Sequence, residues 1–158
     1  MGGVERGDFF SHPFERKYDL VCSFGLIEHF SNWREAVARQ AELVAPGGYL
    51  AVSTPNFRGS LQHFLHRYLD KENLSRHNLD AMDPDGWAAV VREMGWEVIE
   101  CGGLGRFDFW VGDQSRNIGQ RAAVKLVRIS KGLLGRVLPK GWRAAAPHYR
   151  LLARRPGN

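Results

Sequence analysis

YDLVCSFGLIEHF, residues 18–30, followed after Ser31 by NWREAVARQAELVAPGGYLAVSTPN, residues 32–56, decides how this chain folds. It reads as a buried strand, a short loop rich in functional side chains, an amphipathic helix, a Pro-Gly-Gly break and a second buried strand. That is the βαβ pattern of a parallel sheet whose loops carry chemistry. Asn32 is placed to cap the helix with Glu35 in a capping box, and Trp33, Val37, Gln40, Ala41 and Val44 recur along one helical stripe. Pro46-Gly47-Gly48 is expected to stop the helix, and residues 49–54 to form a parallel strand covered on both faces.

Downstream, residues 57–82 turn to His, Arg, Asn and Leu. Leu61, Phe64, Leu65, Tyr68 and Leu69 are spaced for a short amphipathic helix within an inserted cap. Asp83 stands as an N-cap before Pro84, and Trp87, Val90, Val91 and Met94 stripe a helix closed by Gly95. Residues 96–101 make the next strand. Residues 116–137 draw as a helix with Ile118, Leu126, Ile129 and Leu133 on one side and Arg121, Lys125, Arg128 and Lys131 broadly on the other. The tail HYRLLARR suits a closing strand.

The 158 residues match one globular domain with a real core. Cys22 and Cys101 have no metal-ligand spacing and read as buried free thiols of a protein in a reducing, cytoplasmic setting. No apolar run is long enough to cross a bilayer, and the N-terminus has no signal-type core. Charge is segregated: residues 1–113 hold 11 Lys and Arg against all 17 acids, whereas residues 114–158 hold 11 Lys and Arg and no acid. Such a division marks a working surface.

The strand–loop–helix–strand run closely resembles the middle of a class I S-adenosylmethionine-dependent methyltransferase. There a D-h-V-x-S-x-x-x-h-E-H-h run and an L-K/A-P-G-G-h-L-h-h-S-T-P run form the fourth and fifth strands. The resemblance covers residues 7 to about 101. It implies an α/β, partial Rossmann-like methyltransferase sheet with strands 4, 5 and 6 parallel and strand 7 antiparallel, in the family order 4-5-7-6. The glycine-rich turn of the family's first strand has no counterpart in the 17 residues before Tyr18. The expectation is therefore a single, N-terminally incomplete methyltransferase domain over 1–158, inactive alone, with a cap insertion at 57–82 and a basic insertion at 104–146. Its strand-4 edge would be exposed unless a second chain covers it.

By resemblance, Ser23, Phe24 and Gly25 approach the methionine portion of S-adenosylmethionine, and Glu28 and His29 lie near the transferred methyl. Asp8 and Phe9, in the turn after strand three, meet the adenine. His29 is a candidate base, since an imidazole can take a proton from a hydroxyl or ammonium acceptor. Its plain alternative is a helix cap or a bond to a backbone carbonyl. Gly25 has the alternative of a tight turn, and Asp8 of a turn cap. Arg76, His77 and Asn78, in the segment that often lids the acceptor pocket, are candidate acceptor contacts. His63 and His66 lack a third metal ligand and read as solvent-facing or substrate-facing polar groups, so no metal site is expected.

Gly102-Gly103-Leu104-Gly105 opens no helix and reads as a turn. The basic segment suits an anionic small-molecule acceptor such as a phosphorylated or nucleotide-linked saccharide, with a solvated helix face that aids solubility as its plain alternative. It also permits weak adsorption to anionic lipid. Two alternatives stand beside the enzyme: a non-catalytic remnant or partner subunit, and a basic membrane-surface or nucleic-acid module. The last ranks lowest, because no aromatic-basic interleaving of a nucleic-acid motif is present.

Overall fold

The computed structural model describes residues 3–157. Four strands form one sheet: β1 (Tyr18–Phe24), β2 (Val44–Pro55), β3 (Glu97–Leu104) and β4 (His148–Arg154), in the order β1-β2-β4-β3. β1 and β2 run parallel, with Cys22 opposite Ala51 and Ser23 opposite Val52. β4 is antiparallel to both β2 and β3. This is the order and direction expected for strands 4, 5, 7 and 6.

The helices α1 (Trp33–Glu42) and α4 (Pro84–Glu93) pack together over one face of the sheet. Val37 and Ala41 of α1, with Trp87 and Val91 of α4, meet Leu50, Val52, Leu151 and Ala153 in the main core. Trp87 is fully buried and its indole N–H donates to the Ala81 carbonyl at 2.7 Å, so the largest core side chain leaves no polar atom unpaired.

Several expectations are corrected. The α1 helix ends at Glu42, before Pro46, and Val44 already pairs with Tyr18. The next pair is Leu20 with Tyr49, so Pro46-Gly47-Gly48 is a bulge inside β2 rather than a helix stop. Gly47 takes φ +78°, and a Cβ on Gly48 would lie 2.7 Å from the Asp19 carbonyl oxygen, so both glycines are required by the bulge. Asn32 forms no capping box, because its side-chain amide donates to Glu35 Oε2 at 2.7 Å instead of accepting from the backbone. Asp83 occupies the N-cap position of α4 without a side-chain cap bond, its carboxylate facing Arg58 at 3.3 Å.

β2 is covered on one face only, its burial alternating through Leu50, Val52 and Thr54, since α1 and α4 lie on the same side. The other face leaves Leu20, Cys22 and Phe24 of β1 exposed, so Cys22 is not a buried thiol. Cys101 is half-buried and donates to the Pro84 carbonyl.

A second, smaller core joins α2 (Ser60–Leu69), which the short α3 (Lys71–Ser75) follows, to the long connection between β3 and β4. It is built from Leu69, Phe107, Phe109, Val124 and Ala145, with Leu61, Leu65 and Leu134 against it. The connection carries α5 (Ile118–Val137), started by a true capping box between Asn117 and Gln120. α5 turns Val124 inward and leaves Ile118, Leu126, Ile129 and Leu133 exposed. The apolar stripe read from the sequence faces solvent. On α2, likewise, Phe64 and Tyr68 point outward and Gln62, His66 and Leu69 are buried.

Candidate active site at the carboxyl ends of the parallel strands

At the end of β1, Gly25 adopts φ +69°, a left-handed turn for which glycine is suited. Its N–H donates to the Ser53 carbonyl at 2.9 Å, which holds the loop against the end of β2. A single 3-10 turn, Ile27–His29, follows. It buries Ile27 and Glu28 and leaves His29 exposed.

The loop is clamped from the 57–82 segment. The Asn78 N–H donates to the Glu28 carbonyl at 2.8 Å, its side-chain amide donates to the Phe30 carbonyl at 2.9 Å, and its Oδ1 accepts from the Asp80 N–H. This clamp lays His77 beside His29, with ring centroids 4.9 Å apart. His77 Nδ1 lies 2.7 Å from the Asn73 carbonyl oxygen. A carbonyl only accepts, so Nδ1 carries the proton and Nε2 presents its lone pair. Burial pushes His77 below the usual imidazole range, against the opposing pull of the Asn73 bond.

Glu28 is 1% exposed, and its Oε2 has no hydrogen-bond partner among the described residues. Burial raises its carboxyl above the ordinary range. Ser23 Oγ and Thr54 Oγ1 are also buried and unpartnered. Thr54 went unnoticed in the sequence, where an S-T-P strand end carries no functional signal of its own. Among the described residues, three of the five orphaned polar atoms therefore lie where two parallel strands end, the other two being Arg39 Nε and Gln40 Oε1 of α1.

The remaining candidates are placed as follows. Phe24 is 72% exposed beside the turn. Arg76 turns away from the loop and pairs with Glu72 one helical turn back. Asp8 Oδ1 accepts from the Phe10 and Ser11 N–H groups and the Ser11 hydroxyl, as a turn cap; the Ser11 backbone bond leads in lowering its pKa. Phe9 packs in an aromatic cluster with Phe10, Phe14 and Phe30. His66 is buried and faces neither solvent nor an acceptor: its Nδ1 meets Asp70 Oδ2 at 3.1 Å, while Arg116 meets Asp70 Oδ1 at 2.9 Å. His63 Nδ1 meets the Phe57 carbonyl at 3.1 Å. A cleft of about 400 Å³ between Lys17, Glu42, Trp96 and Arg155 opens at the opposite end of the sheet and does not belong to this site.

The sequence pattern of a family described as a methyltransferase domain matches residues 5–101. The chain belongs to the methyltransferase-domain family. No curated protein sequence matches it. Among solved structures it is similar to a SAM-dependent methyltransferase from Archaeoglobus fulgidus, at 14% identity and TM-score 0.54 over 89% of this chain and 60% of that one. A protein from Bacillus halodurans described as a candidate methyltransferase gives 19% identity and TM-score 0.55 over 96% and 70%. The [4+2]-cyclase SpnF gives 15% identity and TM-score 0.50 over 98% and 56%. The chain thus spans about 60% of the length of the Archaeoglobus protein. These likenesses establish the Rossmann-like methyltransferase fold, and the cyclase among them is a reminder that the fold hosts more than one reaction.

Proposed function

We propose that this methyltransferase-domain chain serves S-adenosylmethionine-dependent methyl transfer to a small acceptor. The observation that supports it is the set of buried, unpartnered polar atoms, Ser23 Oγ, Glu28 Oε2 and Thr54 Oγ1, at the carboxyl ends of adjacent parallel strands. A polar ligand at that rim satisfies them, and such crevices are where open α/β sheets bind ligands. S-adenosylmethionine, when bound, supplies a sulfonium-activated methyl group.

In this reading the chain's residues bind and orient. The Ser23-Phe24-Gly25 turn lines the methionine portion, and Asp8 and Phe9 flank the adenine. His77 and Asn78 frame the acceptor, with Arg76 at its edge once released from Glu72. His29, exposed beside the loop, takes the proton that a hydroxyl or ammonium acceptor sheds. Alignment of the acceptor atom carries most of the rate. The basic β3–β4 connection favours an anionic acceptor, of which a phosphorylated or nucleotide-linked saccharide is one class. The free edge of β1, with Leu20 exposed, is where a further strand completes the sheet.

Calorimetric titration of S-adenosylmethionine into protein carrying these residues tests the reading. Saturable binding, weakened about tenfold or more by Gly25→Val because a β-branched residue resists positive φ, is the expected result. No binding heat at any concentration of cofactor rejects it in favour of a non-catalytic partner subunit.

A second reading concerns α5. Its stripe Ile118, Leu126, Ile129, Leu133 and Val137 is 66–87% exposed and is flanked by exposed Arg121, Lys125, Arg128 and Arg136. No helix among the described residues is long and apolar enough to cross a membrane. The combination fits in-plane adsorption of α5 to an anionic lipid surface. A second copy would press two all-basic helices together, and nucleic acid would leave the aliphatic stripe unused. Flotation with phosphatidylglycerol-containing vesicles should recover the chain, and pure phosphatidylcholine should not. Leu126→Asp with Leu133→Asp should abolish recovery while leaving far-UV circular dichroism unchanged. Equal recovery of wild type and variant, or self-association that the variant abolishes, overturns this reading.

A further inference from the structure

Glu28, His29 and His77 each offer one ligand atom, and the three atoms lie within 4.8 Å of one another. We propose that they form a divalent transition-metal site at the mouth of the candidate active site, a two-imidazole, one-carboxylate set with open positions for exogenous ligands. The set arises across the fold: two ligands come from the 3-10 turn after β1, the third from the 57–82 segment, and the Asn78 clamp holds the two parts in register.

Two further features point to an ion. Glu28 is 1% exposed with Oε2 unpartnered among the described residues, and a buried carboxylate with an oxygen left unpaired is costly in general. Among the described residues no Lys or Arg pairs with it; an ion between Glu28 and the two rings compensates it. His77, in turn, has its Nδ1–H bonded to the Asn73 carbonyl at 2.7 Å, the outer bond that metal-bound imidazoles characteristically make, and so directs Nε2 as a ligand. The ring-to-ring approach of His29 and His77 brings two imidazoles together with no hydrogen bond between them.

Two imidazoles and one carboxylate suit Zn²⁺, Co²⁺, Fe²⁺ or Mn²⁺ rather than Ca²⁺, which takes six or more oxygens. Binding of the ion stands apart from the methyl-transfer reading. Resting on that reading, an open position would bind an acceptor oxygen and lower its pKa, which selects hydroxyl acceptors and makes His29 a ligand rather than a base.

The test uses the untagged chain and Co²⁺ as probe, with Zn²⁺ in competition. Stoichiometric uptake with visible d–d bands, bleached by Zn²⁺, is expected. His29→Ala, at an exposed position, and Glu28→Gln, which keeps its shape, should each weaken uptake about 10–100-fold, while His63→Ala leaves it unchanged. Absence of bands and of Zn²⁺ uptake by equilibrium dialysis overturns the proposal. So does uptake that survives both substitutions, which assigns it to another donor such as exposed Cys22. Neither failure touches S-adenosylmethionine binding, which the calorimetric titration reads separately.

Discussion

Asn78 shows how one side chain organises the candidate site. Its backbone and amide bonds to the Glu28 and Phe30 carbonyls tie together residues 48 and 50 positions apart. Asn78→Ala keeps the backbone bond and loses the side-chain bonds, a loss of about 1–2 kcal/mol. Urea denaturation measures it, and the variant should also weaken Co²⁺ uptake by loosening His77 against His29. Glu28 carries the opposite lesson. Glu28→Gln removes a buried, uncompensated charge, so without added metal it should hold or raise stability at pH 7 by about 1 kcal/mol, seen as an unchanged or higher Tm. A clear drop in Tm would mean that the carboxylate has a stabilising partner. The sequence made Glu28 and His29 visible as an E-H pair and His77 as an acceptor-contact candidate; that His77 stands beside His29 has no local signature, because it depends on the Asn78 clamp.

Among the elements, the end of β2 joins the two cores. Asn56 is fully buried; its amide donates to the Arg143 and Ala146 carbonyls at 2.7 and 2.8 Å, and its Oδ1 accepts from the Gly59 N–H at 2.6 Å. Asn56→Leu leaves the Ala146 carbonyl and the Gly59 N–H unpaired and the Arg143 carbonyl with the Tyr149 hydroxyl alone, and should cost about 3 kcal/mol, detectable as a fall in the urea midpoint. Nearby, a Cβ on Gly103 would stand 2.3 Å from the Gly141 carbonyl oxygen, a backbone atom that cannot swing aside. The reading of Gly102-Gly103-Leu104-Gly105 as a turn is corrected here: β3 extends through Leu104, paired with β4, and its glycines admit the returning chain. The inward faces of α1 and α4 were legible from periodicity, through Val37 and Ala41 and through Trp87, Val90 and Val91, whereas those of α2 and α5 were not. α5 has two stripes that can serve, and the small core chose Val124 and Leu134 over Leu126 and Leu133.

Across the whole molecule, a buried ionic knot fastens the 57–82 segment to the β3–β4 connection. Asp70 accepts from Asn73, the Gly112 N–H and Arg116 and faces His66. Burial pushes the Asp70 carboxyl up, but the His66, Asn73 and Gly112 bonds outweigh it and its pKa lies below the model-peptide value of 3.8. The knot's contribution is therefore present above pH 3.8 and is lost as pH falls below that value through the folded-state pKa. Asp70→Asn should cost about 3 kcal/mol at pH 7, and the gap in Tm between wild type and variant should close as pH drops below about 3.8. An unchanged gap down to pH 2 would remove Asp70 from the account. The sequence alone determined the βαβ core, the strand order through its family pattern, the loop that carries Glu28 and His29, and the concentration of positive charge after residue 113. These are properties of periodicity and of contiguous motifs, which local chemistry dictates. Only the tertiary structure decided that the α5 stripe faces outward, that His66 is sealed beside Asp70 while His77 stands beside His29, and that Glu28 is buried without a partner. Each depends on which distant surface a side chain meets, and packing rather than spacing along the chain sets that.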